Sequence, residues 1–205
     1  AAVLPTYTKM IAQRFSLPAK HITVELFERE HRLLPTMSVQ ASDEVKKHLE
    51  KSGVIVREGT KAVGCGQNII RTEKQEYAGD LIVYAGGCGY SPIFEKYPEV
   101  FEFNSSTLAL GENRSVPKAS DVFVLSELTE SGISPEPLID AADKLASILA
   151  GRKLRKVKLR YAQTVRLGRK WAVYQKGRKI KFGRSGNSLT RKFEKYLAKR
   201  IESRK

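Results

Sequence analysis

Few residues of the kinds that do covalent or acid–base chemistry stand in a pattern able to use them. Cys65 and Cys88 each sit between glycines, which exposes a thiol without supplying a base to activate it. The histidines, His21, His31 and His48, show no metal spacing, and no Ser/His/Asp or Cys/His arrangement is discernible. The better-placed groups lie where strand-like runs end. Glu28 closes ITVELFE, Gly86 and Gly87 follow DLIVYA, and Ser126-Glu127 follows VFVL. Glycines at such an end either make a tight turn or let a ligand approach the backbone.

The elements that must position these groups follow from periodicity and punctuation. Residues 6–15 read as a helix with Tyr7, Met10, Ile11 and Phe15 on one face, stopped by Pro18. Ile22–Glu28 is a strand. A helix follows over about 38–51, its apolar face using Val39, Val45 and Leu49, and Gly53 ends it. Val54–Arg57 is a second strand, and Asn68–Arg71 with Gln75–Tyr77 suggest a hairpin. Asp80–Ala85 is near-continuously apolar, as expected of a strand at the centre of a parallel sheet. Further on, 100–110 is extended, Val122–Leu125 is a strand, and 138–150 is a helix stopped by Gly151. Val157–Tyr161, Trp171–Tyr174 and Ile180–Phe182 read as strands before a last helix over 188–201. This order predicts an α/β fold, a partial doubly wound unit followed by an α+β C-terminal region with a basic amphipathic helix.

A chain of 205 residues with 41% hydrophobic content can build a real core, and no run reaches the length of a spanning helix. Two cysteines make a reducing, cytoplasmic setting the default. The charge is uneven. From Gly151 onward there are 21 Lys and Arg against Glu194 and Glu202, of 37 basic and 22 acidic residues in all; the first 150 residues carry 16 and 20. The tail therefore suits an anionic partner, or forms a solvated basic face.

ITVELFEREHRLLP, LEKSGVIVREGT, DLIVYAGG and DVFVLSE, in this order, resemble segments of the type II NADH dehydrogenases and their FAD/NAD-dependent relatives. The resemblance covers most of residues 1–150. It implies an NAD(H)-binding Rossmann-like unit over 1–99 without its first strand and glycine loop, which are expected upstream. It also implies a C-terminal piece of the FAD-binding unit over 100–150, followed by a basic region over 151–205. The implied activity is hydride transfer from NADH to flavin and on to a quinone or other acceptor, with FAD and NAD as cofactors. Glu28 falls where the family's carboxylate accepts hydrogen bonds from the adenosine ribose diol, which implies NADH over NADPH; Arg29 is the neighbour able to accommodate a 2′-phosphate. Gly86 and Gly87 fall where the backbone lies close to the dinucleotide. Glu127 aligns with the acid that holds the flavin, Ser126-Glu127 standing where the family has Gly-Asp.

The last helix sets Leu189, Phe193, Tyr196, Leu197 and Ile201 on one side, with Arg191, Lys192, Lys195, Lys199 and Arg200 around them. That pattern suits peripheral attachment to an anionic membrane face, or packing on the protein's own body. The alternative reading of the whole chain is a non-catalytic relative that binds membrane or nucleic acid through its basic region.

Overall fold

The computed structural model describes residues 4–16, 18, 22–86, 91–104, 107–111, 115–124, 136–152 and 162–202. Helix α1 spans Leu4–Arg14. Strand β1 (Val24–Phe27), helix α2 (Val39–Lys51) and strand β2 (Val54–Arg57) follow. β1 and β2 pair in parallel from Val24↔Val54 to Phe27↔Arg57, so the three elements form the expected βαβ unit. Ser38 caps α2 by accepting the Ala41 N–H at 3.2 Å. Gly53, at φ +89°, supplies the left-handed residue that turns the chain into β2.

Strands β3 (Ala62–Gly66), β4 (Ile69–Thr72) and β5 (Glu76–Ala78) make an antiparallel sheet. The expected hairpin is thus β4 and β5, with β3 added. A short helix α3 (Pro92–Lys96) leads to two small hairpins. These are β6 (Phe103–Asn104) with β7 (Thr107–Leu108), and β8 (Ser115–Val116) with β9 (Ala119–Phe123). Helix α4 spans Glu136–Leu149. The chain closes with β10 (Ala162–Arg166), β11 (Ala172–Lys176), β12 (Lys179–Lys181) and the 20-residue helix α5 (Gly183–Glu202).

Three layers form the best-packed part. Ala41, Val45 and Leu49 of α2 meet Leu33, Met37 and Val54, and the same cluster takes in Leu167 and Val173. Alternation along the strands explains why: Val165 and Val173 face α2, whereas Ala162 and Tyr174 face Phe193 and Leu197 of α5. The sheet β10–β11–β12 is therefore the middle layer, with a helix on each side. Gln175 adds a polar tie, its Oε1 accepting the Ser38 N–H at 3.0 Å.

Several expectations are corrected. Residues 81–85 form no strand, and Leu81, Val83 and Tyr84 are 80%, 63% and 82% exposed, because no described strand lies beside them. Val39 is exposed, and the buried face of α2 turns through Ala41 and Ser42 instead. Tyr7, Met10, Ile11 and Phe15 of the α1 region are also exposed. The stretch 157–161 lies outside the described residues.

Close approach of α5 to the sheet depends on one glycine. A Cβ on Gly186 would lie 2.2 Å from the Ala172 carbonyl oxygen and 2.7 Å from that of Lys181, both backbone atoms. Gly186→Ala is expected to cost about 2–3 kcal/mol, read as a lower melting temperature, because α5 must lift off β11. Gly64→Ala, where a Cβ meets nothing within 4 Å, should stay within about 0.5 kcal/mol of the parent. Equal melting temperatures for the two variants would refute the close packing.

Candidate functional site

The C-terminal end of β1 is held in place by backbone bonds from the β2 side. The Glu28 N–H donates to the Arg57 carbonyl at 2.9 Å, and the Glu28 carbonyl accepts the Thr60 N–H at 2.8 Å. Glu30's carbonyl accepts the Gly59 N–H at 2.8 Å. The half-buried Glu28 carboxylate turns back on its own loop, Oε1 accepting the Glu30 N–H at 2.9 Å. A carboxylate is thereby fixed beside the open end of a parallel strand pair, the place where α/β sheets bind ligands.

A second acid, which the sequence reading did not single out, organises the loop from β1 to α2. Glu58 accepts the Leu33 N–H at 2.8 Å on one oxygen and the Lys46 ammonium at 2.6 Å on the other. Burial pushes the Glu58 carboxyl upward. The hydrogen bonds from Lys46 and Leu33, with the Lys46 charge, outweigh it and hold the group below its ordinary value. The same bond raises Lys46. Arg32 donates to the carbonyls of Leu34 and Pro35, at 3.3 and 2.5 Å, and tightens the rest of the loop. The available signal was an acid just past the strand paired with the Glu28 strand.

The three-stranded sheet leans on the same end. Phe27 meets Tyr77 edge-on at 4.8 Å between centroids, and the Arg57 guanidinium sits 4.7 Å from the Tyr77 centroid while donating to Glu25 at 2.6 Å.

The other expected site residues are distributed differently. Gly86 makes room for the ring of Tyr84, whose atoms would lie 2.8 Å from a Cβ. Gly87, Ser126 and Glu127 lie outside the described residues. On α5, Arg191, Lys192, Lys195, Tyr196 and Lys199 are exposed, but Phe193 is 9% exposed against the sheet. Arg200 binds Asp140 and, at 3.1 Å, Asp143 of α4. Of the apolar stripe, Phe193 and Leu197 are spent inside the protein against Ala162 and Tyr174, while Tyr196 and Ile201 stay exposed. His48 is half-buried and stacks on Trp171 at 4.2 Å. Burial and the nearby Lys51 charge lower its pKa against an opposing hydrogen bond with the Leu167 backbone. Cys65 is exposed. Among the described residues no cluster of His, Cys, Asp or Glu could hold a metal, and no helix is long and apolar enough to cross a membrane.

The Glu58 network predicts an acid-limb effect. A carboxyl depressed on folding stabilises above its unfolded value of about 4.3, and that contribution fades as pH falls through the lower folded value. Glu58→Gln is expected to cost about 1 kcal/mol near pH 7, with the deficit shrinking as pH falls below the unfolded value of about 4.3. Melting temperatures of both proteins across that range would check it; a deficit independent of pH would show that the charge contributes nothing.

No family model and no curated protein matches the sequence. Solved structures do. NDH2 from Plasmodium falciparum, in complex with NADH, superposes with a TM-score of 0.71 at 11% identity over 96% of this chain and 59% of its own. The sulfide:quinone oxidoreductase of Aquifex aeolicus gives 0.67 at 10% identity, over 98% of this chain and 54% of that one. A FAD-dependent pyridine nucleotide-disulphide oxidoreductase from Desulfovibrio vulgaris gives 0.54 at 18% identity, over 76% and 43%. This chain therefore spans about half the length of the proteins it resembles. Over that span it has the fold of the FAD- and NAD-dependent pyridine nucleotide oxidoreductases, as a partial Rossmann-like unit with a C-terminal helix.

Proposed function

We propose that this polypeptide serves a flavin-dependent NADH oxidoreductase, contributing its NADH-side unit and C-terminal region. The observation that carries the reading is the parallel β1–α2–β2 unit with Glu28 at the end of β1, its carboxylate held by the Glu30 amide and the loop beyond it tied by Glu58 at Leu33. A carboxylate so placed accepts hydrogen bonds from a ribose 2′- and 3′-hydroxyl and repels a 2′-phosphate. The likeness to a structure solved with NADH supports the same ligand. A bound flavin supplies the two-electron carrier between the nicotinamide and the final acceptor. The chain's own described residues supply nucleotide orientation: β1 and β2 fix the strand ends, and Glu28 fixes the ribose. The edge of β1 that no described strand pairs with, and the apolar run 81–85 that no described strand joins, fit a sheet that takes more strands than the described residues supply. The acceptor is a quinone or another small oxidant, a quinone being the acceptor named for one structural neighbour.

The polypeptide, purified as its gene encodes it, is expected to be yellow, to bleach with NADH in the absence of oxygen and to recolour in air. Glu28→Ala should raise the NADH concentration for half-maximal bleaching about tenfold without changing flavin content, through loss of charge-assisted bonds to the ribose. Protein that is colourless, and stays so after FAD is added, would overturn the reading.

The exposed Arg191, Lys192, Lys195 and Lys199 favour an electrostatic hold on an anionic membrane surface. With Phe193 and Leu197 buried, that hold rests mainly on charge, so co-sedimentation with anionic liposomes should disappear at about 0.5 M salt. Binding that survives high salt would show insertion instead.

A further inference from the structure

The loop leaving β1 carries alternating charges, Glu28-Arg29-Glu30. An arginine directly after the ribose-binding acid is the group best able to receive a 2′-phosphate, through charge-assisted, forked hydrogen bonds. Here Arg29 is already engaged: its Nε donates to Glu30 Oε1 at 3.1 Å, with both side chains reaching into solvent. The neighbouring cations are committed elsewhere, Arg32 to the carbonyls of Leu34 and Pro35, and Arg57 to Glu25. A phosphorylated ribose would therefore meet one arginine already paired through its Nε, between two carboxylates.

We infer that Glu30 is a second determinant of dinucleotide choice, a positioning residue that occupies Arg29 and so disfavours a 2′-phosphate independently of Glu28. This rests on the reading of Glu28 as the ribose ligand. Its distinctive consequence is non-additivity. Removing Glu28 alone takes away the ribose bonds but leaves Arg29 paired, so the site loses NADH without gaining NADPH. Removing both acids frees the guanidinium.

The test is binding of NADH and of NADPH to the full-length polypeptide, followed by nicotinamide fluorescence at about 20 mM ionic strength, where exposed pairs are least screened. The parent should bind NADH about tenfold or more tighter than NADPH. Glu28→Ser should weaken NADH about tenfold and leave NADPH weak. Adding Glu30→Gln should tighten NADPH about tenfold, from a newly available charge-assisted bond. Adding Arg29→Ala to that pair should erase the gain, which loosening of the loop alone would not explain. Glu30→Asp, which keeps the charge, should resemble the parent. If Glu28→Ser admits NADPH as well as the double variant does, Glu30 has no such role, while the nucleotide reading stands. If the parent binds neither nucleotide, both fall.

Discussion

One face of one helix serves two sheets. Ala41, Val45 and Leu49 of α2 close over β1 and β2, as any crossover helix must, and the same buried cluster accepts Val173 and Leu167 from the far end of the chain. The larger of the two buried clusters, from Leu33 to Val173, lies along this seam. Its polar counterpart lies at the start of α2, where the Ser38 amide donates to Gln175 and the Ser38 hydroxyl accepts the Ala41 amide. A helix N-terminus leaves several amides without intrahelical partners, so a side chain from another element can satisfy one of them and set the docking register together.

The seam matters for the candidate site because it fixes the lever on which the loop turns. α2 carries Lys46, Lys46 holds Glu58, and Glu58 holds the Leu33 amide in the loop that begins at Glu28. A displacement of α2 is therefore passed to the loop through charge-assisted bonds at 2.6 and 2.8 Å, not through loose contact. Backbone bonds from Gly59 and Thr60 then leave the Glu28–Glu30 turn little freedom. A ribose-binding carboxylate requires such fixation, since its discrimination depends on a few tenths of an ångström.

What the sequence made legible is what depends on neighbours close along the chain. The α2 helix and its stop at Gly53, the βαβ order, the hairpin around Thr72–Gln75 and the α4 and α5 helices all follow from local spacing and punctuation. The placement of Glu28 at a strand end followed too, because a β-branched run ending in an acid reports both facts at once. The failures share one cause. Apolar continuity in 81–85 reports a capacity for burial, whereas burial needs a partner strand, and none of the described strands pairs with it. Val39 was placed by the period of α2 alone, but Trp171 and Val173 approach that helix from more than a hundred residues away. An amphipathic helix such as α5 fits a lipid surface or a sheet equally well by pattern. The glycine at 186 carried the deciding information, since a helix interior gives up stability for a glycine chiefly where another backbone must come close.

The basic region consequently changes character between sequence and structure. By charge it reads as a tail, 21 cations attached to a slightly acidic body. By contacts it is a clamp. One side grips α2 through Val173 and Gln175, and the other grips α4 through Arg200, whose pKa is driven far above its usual value by the hydrogen bond to Asp140. Asp140 is 6% exposed, and a carboxylate so placed is tolerable only with its cation beside it. The helix α4, which follows the segment containing Ser126 and Glu127, therefore depends on α5 for its electrostatic balance. Meanwhile α2, which braces the Glu28 loop, depends on β11 for its core. The positive field that remains on the outer face of α5 is thus fixed in direction relative to Glu28. Whatever anion that face meets would hold the strand ends of the β1–β2 unit in one orientation toward it.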